Sequence, residues 1–388
     1  MRIGIYCSDY QPETGGASTL TQSILREIEE YSSRTPEDEF IILYSGKQER
    51  GEKKLNDESI EIYYMDSLKN RIYRIIRKID RKTGRNHFDR EFDRIAKEVN
   101  LDIIWFCNPV IADISIPYIY TVWDLGHRTT PFFPEVSINR QWEAREKMYT
   151  RMVPEASWVV TGNETGKREI AAHYAVSSER FIIAPFPVSS YCRGNERKPS
   201  FDISEKYFFY PAQFWAHKNH IVILEALAIA KERYGLTVPV YFSGSDKGNK
   251  AYIAQTADRL GVKDQIVFTG FLTNEEMKYM YTHAVSLVYA SLMGPNNLPP
   301  IEAVYLGCPV ILTDLPGHTE QLGDAAMYFD GTNADELAHC MTEMMNPEIR
   351  EQYVKKASEK KTEFDQIKYC KPIFDKLMEF KRYRKCWQ

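Results

Sequence analysis

Several features that would assign this chain to a definite class of protein are missing from it. No run of about 18 apolar residues occurs, which is the length that a membrane-spanning helix needs. The seven cysteines are scattered and show no C-x-x-C spacing, so we expect a reducing compartment and neither zinc binding nor thioredoxin-like chemistry. The formal net charge of −4 argues against a nucleic-acid partner. The first residues enter a strand-like run without the apolar segment of a signal peptide, which predicts a cytoplasmic protein.

The chain does have enough apolar material for two folded cores. It contains 388 residues, of which 43% are hydrophobic, and this length predicts two domains. Short apolar runs alternate with helical patterns in both halves, which is typical of α/β proteins with parallel sheets covered on both faces. We predict a first domain at 1–190, a second domain at 191–363, and a C-terminal helix at 364–388 that packs back on the first domain.

The most informative segment is 294–311, which reads GPNNLPPIEAVYLGCPVI. It predicts a polar loop, a short helix that opens near Pro299 with Glu302 in its first turn, and then a buried strand. A carboxylate beside the backbone N–H groups of a helix start suits the binding of sugar or ribose hydroxyls. The alternative is a glutamate on an exposed helix surface.

Four further segments lie at or directly after predicted strands. They are Thr14-Gly15-Gly16, the stretch FYPAQFWAHKNH at 209–220, VFTGFL at 267–272 followed by Asn274-Glu275-Glu276, and GDAAMYF at 323–329. Together, and in this order, they resemble the retaining glycosyltransferases of family 4, the group 1 type. The resemblance implies the GT-B fold, in which two doubly wound Rossmann-like domains face a central cleft.

The resemblance also implies a site for a nucleotide-diphosphate-sugar donor in the second domain. Backbone around Gly270, Phe271 and Leu272 would contact the base, Glu302 the ribose, and Lys218 the diphosphate. A lysine just before a helix is unfavourable unless an anion is near, which argues against Lys218 as a merely solvated side chain. The remaining donor-binding candidates are Gly15, Gly16, Gln213, Asn296, Asn297 and Leu298. A glycine pair such as Gly15-Gly16 also occurs in ordinary strand-to-helix turns.

Three positions depart from the family's pattern. Gln213 stands where an arginine is usual, Gly294 where a first glutamate is usual, and Trp123 where a histidine is usual. His217 and Arg168 are candidates to replace the positive charge missing at Gln213. Asn296 and Asn297 offer amides for sugar hydroxyls, although an amide does not stabilise developing positive charge as a carboxylate does.

The acceptor-side candidates lie in the first half of the chain. They are Trp123, Asp124, His127, Arg128 and Asn163. Asp124 or His127 would contact an acceptor hydroxyl, and the Trp123 ring suits stacking on a sugar face. The alternative is that Trp123 belongs to the core and Asp124 caps a turn.

By this resemblance the chain transfers a sugar, with retention of configuration, to a hydroxyl on a glycan or lipid-linked oligosaccharide in bacterial surface polysaccharide synthesis. Asp124, His127, Lys218 and Glu302 are the predicted catalytic residues. No cofactor is expected besides the donor substrate, and no metal, because the sequence has no Asp-x-Asp triplet and the family is generally metal-independent. Two alternatives remain: a catalytically degenerate binding protein and a nucleotide-sugar epimerase of the same fold.

A basic stretch bears on where the protein works. It begins at Lys69, ends at Arg90, and on a helix would place isoleucines on one face and basic residues on the other. Such a helix suits the anionic inner face of the cell membrane, or else packs its apolar face on the sheet of its own domain.

Overall fold

The computed structural model describes residues 1–8, 16–45, 60–65 and 90–387. By their contacts these residues form two compact units. The first unit comprises Met1–Leu125, Trp142–Pro185 and Lys368–Gln388, and the second comprises Gly126–Gln141 and Phe186–Ile367. Each unit is a parallel β-sheet interleaved with helices, so the predicted α/β class is confirmed.

The described strands are short and mostly buried along their whole length. In chain order they are β1 (Arg2–Ser8), β2 (Glu39–Ser45), β3 (Glu61–Tyr64), β4 (Ile103–Phe106), β5 (Tyr118–Thr121), β6 (Trp158–Thr161), β7 (Phe181–Ile183), β8 (Phe208–Pro211), β9 (Val240–Ser243), β10 (Ile266–Gly270), β11 (Ser286–Tyr289), β12 (Val310–Thr313) and β13 (Met327–Phe329).

The described α-helices lie between these strands. They are α1 (Gly16–Ser32), α2 (Glu91–Glu98), α3 (Gly126–Thr129), α4 (Pro134–Ser137), α5 (Gln141–Glu155), α6 (Glu164–His173), α7 (His220–Tyr234), α8 (Lys250–Arg259), α9 (Asn274–His283), α10 (Leu298–Tyr305), α11 (Pro316–Leu322), α12 (Ala334–Met344), α13 (Pro347–Gln366) and α14 (Lys371–Arg384).

The sheet of the first unit has the order β3-β2-β1-β4-β5-β6-β7. The C-terminal helix α14 closes this unit, where the Phe374 ring stacks on Tyr31 with 3.8 Å between ring centroids. The carboxylate of Glu27 accepts the backbone N–H groups of Tyr369 and Cys370, at 3.1 and 2.8 Å, just before α14 begins. These contacts attach the end of the chain to the unit in which it starts.

The sheet of the second unit has the order β10-β9-β8-β11-β12-β13. The strand order reverses between β8 and β11, which are hydrogen-bonded neighbours. In open parallel sheets the loops that follow the strands diverge at such a switch point and leave a crevice that binds ligands. The carboxyl ends of β8 and β11 are therefore the place to look for a site.

The segment Gly126–Gln141 groups with the second unit, although it precedes most of that unit in sequence. Its Glu135 side chain accepts a hydrogen bond from the backbone N–H of His217, at 2.9 Å, and contacts the His217 ring as well. The boundary predicted at residue 190 places this segment in the first domain. Sequence order alone does not reveal a contact between residues so far apart in the chain.

Candidate functional site

Lys218 lies at the switch point of the second sheet. It ends the short 3-10 helix Ala216–Lys218 that follows β8, and α7 begins two residues later. Its ammonium donates to the Tyr289 hydroxyl at 2.8 Å and to the Ser291 hydroxyl at 3.3 Å. Because β11 ends at Tyr289, these contacts hold a positive charge between the carboxyl ends of β8 and β11.

The loop before α10 supplies a further partner for this ammonium. The side-chain oxygen of Asn297 accepts from Lys218 at 3.3 Å and from the Tyr289 hydroxyl at 2.7 Å. Gly294 has a φ of 100°, in the left-handed region, so the position without a carboxylate is also a turn that favours glycine. Asn297 is buried and belongs to the protein's own network, whereas Asn296 is half-buried.

His318, near the start of α11, is a site residue that the sequence interpretation missed. It is fully buried, and its Nδ1 lies 2.9 Å from the Thr313 backbone oxygen. Its Nε2 lies 2.9 Å from the amide nitrogen of Asn297. Burial lowers the pKa of His318 to about 4, so the ring is neutral at physiological pH. His318 could have been predicted from one sequence feature: it is a histidine that follows the strand β12, at the same sheet edge as Lys218.

Glu302 does not occupy the predicted place. Helix α10 begins at Leu298, and its first turn, which the structure describes in full, holds no acidic residue. The Glu302 carboxylate is 5% exposed and accepts hydrogen bonds from Ser189 and from Tyr281, the latter at 2.9 Å. Burial raises the pKa of Glu302 although these hydroxyls oppose that shift. The prediction of a first-turn carboxylate is wrong, because the helix begins at Leu298, before the predicted Pro299, and Glu302 is its fifth residue.

Two residues near Lys218 are held by other side chains. Gln213 accepts the indole N–H of Trp215 at 2.9 Å through its side-chain oxygen. His217, a candidate to replace the charge missing at position 213, is buried and contacts the Glu135 carboxylate. Burial alone would raise the pKa of Glu135, but the hydrogen bonds from His217 bring it below its ordinary value. The guanidinium of Arg168, in the first unit, donates to Thr165 at 2.8 Å.

The residues predicted to contact the base, Gly270, Phe271 and Leu272, lie at the end of β10. The backbone oxygen of Gly270 accepts from the N–H of Gly244 and from the Ser243 hydroxyl, both at 3.1 Å. Phe271 is 62% exposed, while Leu272 is buried. An exposed aromatic ring at the carboxyl end of an edge strand offers a flat apolar surface to a ligand.

In the first unit, Asp124 forms an ion pair with Arg145, whose Nη2 lies 2.5 Å from Oδ1. Burial alone would lower the pKa of Arg145, but the Asp124 charge raises it overall. Burial and the same Asp124 charge raise the pKa of Glu169 to about 7. Glu169 is a second carboxylate that the sequence interpretation did not single out, and only its place five residues into α6 hinted at it.

The remaining acceptor candidates are distributed over both units. Asn163 is buried and caps α6, since its side-chain oxygen accepts the N–H of Gly166 at 2.8 Å. Trp123 is half-buried in the first unit, whereas His127, fully buried, and Arg128 lie on α3 in the second.

Part of the predicted glycine loop and most of the basic stretch lie outside the described residues. Gly16 begins α1, and Gly15 lies outside the described residues. Of the basic stretch 69–90, only Arg90 is described. Within the described ranges, no group of three His, Cys, Asp or Glu side chains could hold a metal ion. Among the helices of those ranges, none has both the length and the apolar character needed to cross a bilayer.

A known protein family matches the part of the chain that carries Lys218, Asn297 and His318. Residues 194–361 match the family described as Glycosyl transferases group 1. These residues form a group 1 glycosyltransferase domain. The resemblance to group 1 enzymes, inferred from the loop motifs, is therefore confirmed.

The group 1 domain has relatives whose activity is named. The O-antigen chain mannosyltransferase RfbU of Salmonella typhimurium is 28% identical over 193 residues, which cover 47% of this chain and 51% of that protein. The chain thus spans about half the length of this curated relative.

Solved structures show the same fold over the full chain. Sucrose-phosphate synthase from Thermosynechococcus elongatus superposes with a TM-score of 0.70 at 12% identity, covering 100% of both chains. The Anabaena protein HepE, solved in complex with UDP and glucose, gives a TM-score of 0.67 at 14% identity, covering 99% of this chain and 100% of the other. At such identities the likeness shows the fold alone, and the predicted GT-B fold class is confirmed.

Proposed function

We propose that this chain is a retaining glycosyltransferase of family 4 that moves a hexose from a nucleotide-diphosphate sugar to a hydroxyl of a glycan or lipid-linked oligosaccharide. The observation that carries the proposal is the Lys218 ammonium, held at the switch point of a group 1 domain by Tyr289, Ser291 and Asn297. A fixed cation at that place offsets the negative charge that collects on a departing nucleoside diphosphate.

The other donor contacts follow from the same sheet edge. Phe271 presents an exposed ring, and Gly270 leaves the backbone open to a close approach by the base. HepE was solved with UDP and glucose, which supports a nucleotide diphosphate as the leaving group here. RfbU is named a mannosyltransferase of the O-antigen chain, which makes mannose the first donor sugar to test and a surface polysaccharide the first acceptor class.

On the acceptor side we assign the polar contacts to Asp124 and Glu169. Arg145 pairs with Asp124, while Glu169, with a pKa of about 7, exchanges a proton at physiological pH. A glycan hydroxyl placed against this pair would lose its proton to a carboxylate during transfer. Contact with the anionic membrane face, through the basic stretch 69–90, is part of the same proposal.

A direct assay tests the transfer. Purified protein is incubated with a panel of nucleotide sugars and a lipid-linked glycan acceptor, and both nucleoside diphosphate release and glycan mass are measured. We expect one donor to be consumed with an α- or β-linkage that matches the donor's anomeric configuration, read by NMR. Lys218→Ala should lower kcat about 100-fold, the size typical for loss of one group that stabilises transition-state charge.

The matched control is Lys263→Ala, which removes an exposed lysine that pairs with Asp258 at 3.2 Å on the surface of the same unit. It should leave turnover unchanged. Equal effects of the two substitutions, or an inverted product, would refute the proposed reaction.

A second candidate is a binding protein without turnover. The observation that favours it is the donor loop itself, where Gly294 has no side chain and Glu302 points into the interior. Calorimetry combined with the transfer assay separates the two functions. A binding protein binds the donor sugar in the calorimeter, but it does not cleave the donor to a free nucleoside diphosphate with any acceptor. Sugar analysis of a reaction without acceptor addresses an epimerase, which needs none.

A further inference from the structure

A continuous chain of hydrogen bonds leads from the interior of the second unit to the Lys218 ammonium. It starts at β12, where the Thr313 hydroxyl donates to the Ser291 backbone oxygen at 2.7 Å. It passes through the His318 ring to the amide of Asn297, at 2.9 Å on either side of the ring. It ends on Lys218 and Tyr289, which both donate to the Asn297 side-chain oxygen.

The direction of each bond follows from the chemistry of the groups. A backbone carbonyl only accepts, so the Nδ1 that faces the Thr313 oxygen carries the proton of the imidazole. In a neutral ring the other nitrogen, Nε2, is then an acceptor. It can receive only the NH₂ side of the Asn297 amide, and this leaves the amide oxygen pointing at Lys218. The tautomer of the buried histidine therefore favours this orientation of the asparagine, and a longer bond from the same NH₂ group to the Gly294 backbone oxygen, at 3.4 Å, supports it.

The reverse orientation would present the NH₂ group to an ammonium, and two donors facing each other do not bind. The loop that carries Asn297 has little freedom to compensate. A Cβ at position 317 would lie 2.2 Å from the Pro295 backbone oxygen, so only glycine lets the loop pack this closely on α11. The asparagine is thus held by its backbone on one side and by the imidazole on the other.

We propose that His318 is a positioning residue, which holds the Lys218 ammonium in place by fixing the orientation of the Asn297 amide. What the held ammonium binds rests on the proposed function, but the positioning itself does not. The role belongs to the imidazole's Nε2 and not to the mere presence of a buried ring.

Two amide substitutions separate the bonds that His318 makes. His318→Gln places an amide near Nε2 and retains an acceptor for Asn297, whereas His318→Asn reaches only the Thr313 oxygen and loses the Asn297 bond. Both are small polar replacements, and a melting curve of each variant records any general loss of stability. His220→Phe is the control for loss of a buried imidazole, because the His220 ring packs on Tyr210, Phe214 and Phe242.

The readout is the rate at which Lys218 is acetylated by an amine-reactive ester, followed by mass spectrometry in the absence of any substrate. His318→Asn should raise this rate about fivefold, which is the change in population that loss of one ordinary hydrogen bond allows. His318→Gln and His220→Phe should stay near the rate of the unchanged protein. Equal rates in the Asn and Gln variants overturn the positioning role.

Turnover adds a second, independent readout. If His318 acts through Lys218, then His318→Asn as a single substitution lowers kcat about fivefold. Added to the Lys218→Ala variant, the same substitution lowers kcat no further. Additive losses contradict the proposal. Absence of transfer in the unchanged protein would count against the proposed function alone, since the acetylation rates decide the positioning without it.

Discussion

The backbone N–H of His217 donates to Oε1 of Glu135 at 2.9 Å, and the His217 ring contacts the same oxygen. The two residues are 82 positions apart in the chain, and both side chains are largely buried, with 10% and 8% exposed. Since His217 immediately precedes Lys218, this contact joins the segment Gly126–Gln141 to the loop that carries the Lys218 ammonium. His127 and Arg128, predicted for the acceptor, are on that same segment.

Glu135→Ala should therefore destabilise the second unit. It leaves a buried backbone N–H and a buried imidazole without their acceptor, which costs about 2 kcal/mol of unfolding free energy. Urea unfolding followed by fluorescence measures the loss. Glu225→Ala, an exposed position on α7, is the control and should change the free energy by less than about 0.5 kcal/mol. Equal midpoints for the two variants would show that the contact contributes nothing.

The strand and helix alternation was predictable, because parallel strands buried on both faces read as short apolar runs such as IIWF at Ile103–Phe106. What sequence order did not show was the return of Gly126–Gln141 to the second unit, which depends on a contact between distant residues. The place of Lys218 between a strand and a helix was also predictable from the sequence, and a cation there has a clear electrostatic meaning.

The direction of individual side chains was harder to predict. Glu302 was placed near the ligand loop because of its motif, but in the structure its carboxylate contacts Ser189 and Tyr281. His318 escaped notice because a lone histidine after a strand has no motif of its own. Only three-dimensional packing shows that its ring meets the Asn297 amide.

The pH dependence of stability should reflect the neutral state of His318. Its pKa is about 4 in the folded protein against an ordinary value of 6.5, so the unfolded chain binds the proton more readily between these values. Stability from this group is complete above pH 6.5 and is lost as the pH falls toward 4. By pH 5 we expect His318 to account for a loss of about 2 kcal/mol, and the buried His220, whose pKa burial lowers to about 3, adds a loss of the same kind. Urea unfolding at pH 7.5 and 5 measures it, and His318→Gln should reduce the difference; an unchanged difference would assign it to other groups.

Gly317→Ala should disrupt the loop that carries Asn297. The added methyl group would meet the Pro295 backbone oxygen at 2.2 Å, and neither backbone can yield without moving the loop from α11. We expect a loss of about 3 kcal/mol in unfolding free energy together with weaker nucleotide binding. Gly235→Ala is the matched control, because its φ of 65° is strained for alanine but nothing lies within 4 Å of the new methyl. That variant should lose about 1 kcal/mol and keep its nucleotide binding.

Asp124→Asn should lower the pKa of Glu169. Burial comes first among the causes that raise this pKa to about 7, and the negative charge of Asp124 adds to it. Removing that charge leaves burial, which raises the pKa, opposed by the Arg168 charge, which lowers it, so the carboxyl should titrate at a lower pH. Carbon-13 NMR of labelled glutamate carboxyls follows the titration directly, with the exposed Glu164 as the internal reference. A Glu169 pKa that stays the same or rises would show that the two carboxylates do not interact.

Glu302 separates an interior role from a ligand role. Its buried carboxylate accepts from Ser189 and Tyr281, and an amide of the same shape keeps a partner for both hydroxyls, since its oxygen accepts from one and its NH₂ group donates to the other. Glu302→Gln should therefore change the unfolding free energy by less than about 1 kcal/mol, whereas Glu302→Ala should cost about 3 kcal/mol through the cavity and the hydroxyls left without an acceptor. If the carboxylate stays in the interior during turnover, the donor KM of Glu302→Gln remains within about twofold of the unchanged protein, because an amide that touches no ligand alters no binding energy. A tenfold rise in KM with intact stability would instead mean that the side chain leaves Tyr281 to contact the ribose.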